Sequence, residues 1–112
     1  MSVRDLVADL QQQLREQATA SDGGAMRAIG NKAAGLLGFV NAEELEAEIA
    51  YRDVEKGFAL EHSAAKATVL AKASAEYARW RRAENIHEEL KAIRNATDNA
   101  LRNLSFEMHL AR

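Results

Sequence analysis

Apolar residues recur at steps of three or four along most of the chain, which is the spacing of one face of an α-helix. The clearest run lies in residues 74–112, where no Gly or Pro interrupts. There Tyr77, Trp80, Ala83, Ile86, Leu90, Ile93, Thr97, Leu101, Leu104 and Met108 fall on one stripe. A stripe of this length predicts a long helix that needs partner helices. Val3, Leu6, Val7, Leu10 and Leu14 make a shorter stripe near the start, which Ser2 and Asp5 open as a capping pair and which ends near Ala20. Ser21, Asp22, Gly23 and Gly24 then read as a flexible hinge.

Residues 25–40 carry a weaker face made of Met26, Ile29, Ala33, Leu36, Leu37 and Val40, interrupted by Gly30, Gly35 and Gly38. Each glycine weakens a helix by about 1 kcal/mol relative to Ala. The pattern predicts a short helix packed flat on the end of a bundle, with glycines permitting close approach. Its glycines do not make a phosphate-binding loop, because Gly30 is followed by Asn31, Lys32 and Ala33 instead of a Gly-Lys-Ser/Thr ending. Asn41 with Glu44 reads as a second capping box, and Glu43, Glu44 and Glu46 complement a helix dipole starting there. Leu45, Ile49, Tyr51, Val54, Phe58, Ala65 and Val69 continue from that start as a broader stripe. The stripe fades after Val69 and Ser74 can cap a new helix, which predicts an antiparallel turn near Leu70–Ser74, the alternative being one continuous rod.

The expected architecture is therefore all-α: a long antiparallel, coiled-coil-like helical hairpin over 42–112, preceded by two short N-terminal helices within 1–41. Composition supports this reading, with no Pro and hydrophobic residues at 47%. Aromatic residues make up only 5%, so the core is mostly Ala and Leu and too thin for one seam to suffice. Self-association into a dimeric four-helix bundle supplies the missing burial.

Net charge is −2, and the acidic excess sits in residues 42–73, with four basic and seven acidic groups. This balance argues against a strongly nucleic-acid-binding domain, which needs a pronounced basic face. The chain has no cysteine, which excludes disulfides and thiolate metal sites and leaves a reducing cytoplasm as the simplest location. No membrane-spanning run or signal-peptide pattern stands out, so a soluble intracellular protein is expected.

Candidate chemistry is sparse. Glu84 and His87 have the Glu-x-x-His spacing of carboxylate-bridged bundles, but a site built on them needs a symmetry copy and Glu48 or Glu55 as well. Both lie one position off the stripe of Ala83, Ile86 and Leu90, which predicts a solvated flank and no metal or other cofactor. His62 and His109 read as surface residues, no Ser, His and Asp arrangement has local support and no cysteine offers a nucleophile, so the protein is not expected to be an enzyme. Arg79, Arg81 and Arg82 surround Trp80, with Tyr77 one turn earlier. This is a seam flanked by arginines, a protein-binding ring, or a platform for single-stranded nucleic acid. Leu104, Phe106 and Met108, with Leu101 and Leu110, make the last turns apolar on more than one face and predict either packing on Leu36–Val40 or burial in a dimer, a partner-binding tip being the functional counterpart.

The Glu76–Trp80 stretch EYARW, the charged stripe through Leu90 and Ile93, and the Ala100–Ser105 stretch ALRNLS resemble small helical-hairpin proteins of tailed bacteriophages, often encoded near replication and recombination genes. The resemblance covers residues 42–108. It implies a phage or prophage accessory protein, and it brings no catalytic residues. The expected function is that of a non-enzymatic, homodimeric interaction or adaptor protein. A single-stranded nucleic-acid accessory factor and a metal-binding bundle are the alternatives.

Overall fold

The computed structural model describes residues 2–17 and 23–110, with side chains as far as residue 105. All regular structure among them is helical: α1 (Val3–Gln17), α2 (Gly23–Ala59), α3 (Ala64–Lys72) and α4 (Ala75–Leu110). The chain divides into two compact units. One contains Met1–Gly38 and Glu88–Arg112, the other Phe39–His87.

Helix α1 starts where the capping pair places it. The Ser2 backbone N–H donates to Asp5 Oδ2 and the Asp5 N–H donates to Ser2 Oγ, both at 3.1 Å. Val7 and Leu10 are buried on its inner face.

Helix α2 corrects two expectations at once. Gly23 and Gly24 are its opening residues, while Ser21 and Asp22, the other half of the expected hinge, lie outside the described residues. No second short N-terminal helix exists over 25–40, because those residues are the first half of α2. No helix begins at Asn41 either, since α2 passes through it. The reason is periodicity. Met26, Ile29, Ala33, Leu37, Val40, Ala47 and Tyr51 are all buried and lie at helical steps across Asn41, with Glu44 in the gap between Val40 and Ala47. Keeping one helix aligns that whole face, and each large side chain contributes about 1.5–3 kcal/mol on burial. A cap is worth only about 1 kcal/mol.

The connection to α4 breaks twice. The expected break is present: Ser74 Oγ accepts the Tyr77 N–H at 3.2 Å and donates to the Ala71 carbonyl, capping α4. An earlier break ends α2 at Ala59 without Pro, through a tightened last turn in which Glu61 N–H and His62 N–H both donate to the Phe58 carbonyl, at 3.1 and 3.0 Å. Ser63 then takes extended backbone and caps α3, its Oγ accepting from Lys66 N–H at 3.3 Å.

In each unit the two long helices run antiparallel. In the first, Gly30 of α2 meets Thr97 of α4, and Gly23 sits beside Leu101 and Leu104. In the second, Glu44 meets His87 and Tyr51 meets Trp80. A third, short helix joins each pair. Leu14 of α1 shares a shallow groove with Ile93 of α4 in the first unit, and Thr68 and Lys72 of α3 border Tyr51 and Trp80 in the second.

Candidate interaction site

The richest cluster of side chains lies in the Phe39–His87 unit, where α2 places Tyr51 against Tyr77 and Trp80 of α4. Tyr51 is 2% exposed. Its ring stacks on Trp80 at 5.0 Å between centroids and 23° between planes, and it lies 5.2 Å from Tyr77. Tyr77 meets Trp80 edge-on at 6.1 Å. The Tyr51 hydroxyl donates to Glu55 Oε2 at 3.2 Å, and burial, then the Glu55 charge, pushes the phenol above its ordinary value. Trp80 Nε1 is buried with no hydrogen-bond partner among the described residues.

The cation over these rings is one the sequence pattern did not single out. Arg52 places its guanidinium 5.3 Å from the Tyr51 centroid and 5.4 Å from the Trp80 centroid. Glu55 and Glu48 hold it from the same helix at 3.5 and 3.9 Å. Its signal was there in the charge spacing, since Glu48, Arg52 and Glu55 stand at i, i+4 and i+7. An open depression of about 380 Å³ adjoins the cluster, bordered by Arg52, Thr68, Lys72, Trp80 and Arg81.

The expected arginine ring is dispersed. Arg79 turns to α2, where its Nε donates to Glu43 at 2.8 Å and its Nη2 lies 3.7 Å from Glu46. The Arg79 hydrogen bond, with its charge, holds the Glu43 carboxyl below the ordinary glutamate range. Arg81 pairs with Glu84 one turn along at 3.3 Å, and Arg82 is exposed. The acids expected to serve a helix start thus bind α4 instead.

His87 also departs from expectation. It is half-buried, and its Nδ1 lies 2.6 Å from Glu44 Oε2 on α2, so it belongs to the seam and not to a solvated flank. Glu44 faces it in place of Glu48 or Glu55, while Glu84 is turned to Arg81. Among the described residues, no three His, Cys, Asp or Glu side chains converge as a metal site would require.

Leu104 belongs to the other unit. A Cβ on Gly23 would stand 3.9 Å from its Cδ1 and 3.8 Å from Leu101 Cδ2. The expected partner stretch at Leu36–Val40 begins about 20 Å further along α2, given a rise of about 1.5 Å per residue. The side chains of Phe106 and Met108 lie outside the described residues, as do those of His109 and Leu110. Within the described part, Trp80 shares one neighbourhood with Arg52 and Arg81, and Leu104 lies in another.

Among the described residues no helix is long and apolar enough to cross a membrane. Comparison of the chain with family models, curated proteins and solved structures returns no match.

Proposed function

We propose that this is a non-enzymatic helical interaction protein, acting as a cytoplasmic homodimer and serving as an adaptor for another protein. The observation that carries the reading is the large apolar surface left in solvent: Phe39 is 62% exposed, Leu45 59% and Ile49 53%, all on α2, with Leu60 and Val69 still more open. Side chains of this size in water mark a surface that something covers. The resemblance to phage helical-hairpin proteins adds the setting of a phage or prophage accessory factor. Light scattering or sedimentation at micromolar concentration tests the first half, and a mass of twice one chain is the expected result. A folded monomer at those concentrations removes the homodimer.

A single-stranded nucleic-acid role has one observation in its favour, the gathering of Arg52, Lys72 and Arg81 beside Trp80. Against it, Tyr51 already stacks on that indole, so a base would have to displace it. Quenching of the single tryptophan by an oligonucleotide, weakening steeply with salt, would favour this second reading. The adaptor reading expects no quenching.

A further inference from the structure

We propose that the face of α2 turned away from its buried seam is the interface between two copies of the chain, which dock antiparallel about a twofold axis beside Phe39. This rests on the homodimer reading above and names the surface that makes it.

The face follows from the period of one unbroken helix. Gly35, Gly38, Ala42, Leu45 and Ile49 recur at steps of three, four, three and four, and all are exposed. They lie opposite the buried positions Ala33, Leu37, Val40, Ala47 and Tyr51. A Cβ on Gly35 or Gly38 would meet nothing within 4 Å, so no contact among the described residues accounts for two helix-weakening residues there. Close approach of another helix accounts for both.

Size and charge choose the occupant. With a second α2 running antiparallel, each core position meets the partner's complementary one: Leu45 lies over Gly35, Ala42 over Gly38, and Ile49 over Asn31, so every large side chain meets a small or short one. Phe39 meets its own copy across the axis. On the flanks Lys32 faces Glu46, a pair the twofold repeats. Glu46 can take part because its side chain is 73% exposed, so its 3.7 Å contact with Arg79 leaves the carboxylate open to a second cation. A parallel pair fails on the same criteria. It stacks Leu45 on Leu45 and glycine on glycine, and its flanks set Arg27 against Lys32 and Glu48 against Asp53, which repel.

The native chain has no cysteine, so single cysteines report cleanly. Light scattering of the native chain is expected to give a dimer. With a short bismaleimide, Asn41→Cys is expected to cross-link between copies, whereas Ile49→Cys is not, because the two Ile49 positions stand about 27 Å apart along the axis at about 1.5 Å per residue. Lys32→Glu is expected to weaken dimerisation about tenfold, and adding Glu46→Lys to restore it. All four sites are exposed, and unchanged helical circular dichroism verifies the fold. A dimer in which Ile49→Cys cross-links and Asn41→Cys does not, or in which the charge swap fails to restore association, overturns this interface and leaves the homodimer standing. A monomeric native chain overturns both.

Discussion

Gly30 shows what one missing Cβ decides. A Cβ there would sit 2.8 Å from Thr97 Oγ1, an atom already committed to the Arg94 carbonyl at 2.8 Å, and Thr97 is fully buried. Gly30→Ala should therefore lower the unfolding free energy by about 1–3 kcal/mol through overpacking. Adding Thr97→Ala should recover part of the loss. Gly57→Ala, at an exposed helical site with nothing within 4 Å, should instead raise stability by about 0.5–1 kcal/mol. Urea unfolding of the variants at one protein concentration separates the two cases. Tyr51 is the other residue on which much rests, since Trp80, Tyr77 and Glu55 all use it. Tyr51→Ala should cost about 3–5 kcal/mol and shift Trp80 emission to the red as water reaches the indole.

At the level of the helices, the caps are local and readable, but which of them operate is not. Ser2 with Asp5 and Ser74 with Tyr77 cap as their spacing predicts, whereas Asn41 with Glu44 has the same signature and lies inside a helix. A capping box competes with the packing of the whole face on which it sits, and only the sum decides. Ser74→Ala should cost about 1 kcal/mol, read by chemical denaturation. Asp5 makes a pH-dependent prediction. Its carboxyl is held below the ordinary aspartate range by the Ser2 backbone N–H first and the Ser2 hydroxyl second. Because the folded value is the lower one, its contribution is complete above the unfolded value of about 4 and is lost as pH falls through the folded value. Amide protection at the start of α1 should therefore decline on acidification below about pH 4, and Asp5→Asn should remove that dependence.

For the molecule as a whole, each compact unit answers the thin-core problem in the same way. Two long helices are joined by one short helix, α1 in one unit and α3 in the other. That was not readable beforehand, because α3 was hidden in a stretch whose stripe fades and whose Ser63 cap has no Glu or Gln after it. The apolar residues still exposed on α2 make the remaining burial intermolecular in the proposed dimer. If so, the thermal midpoint should rise with protein concentration, since association stabilises the folded chain by mass action. Scanning calorimetry across a tenfold concentration range checks this, and a midpoint independent of concentration argues for a monomer.

The sequence by itself determined the helical class, because a 3.6-residue period over most of the chain, with no Pro and no alternating run, offers the backbone no competing strand arrangement. It also determined the seam of α4, where Trp80, Ala83, Leu90, Ile93 and Thr97 lie as their spacing requires, and the caps at Ser2 and Ser74. Tertiary structure decided the rest. It joined residues 23–59 into one helix, since aligning a buried face outweighs a local stop signal. It turned Glu43, Glu44 and Glu46 from dipole partners into partners of Arg79 and His87, and it set Arg52, not the neighbouring arginines, over Trp80. Those choices depend on which residues of α2 and α4 come opposite one another. Helical period fixes the face a residue occupies, but not its height against the partner helix, and that register is set only when the two faces pack.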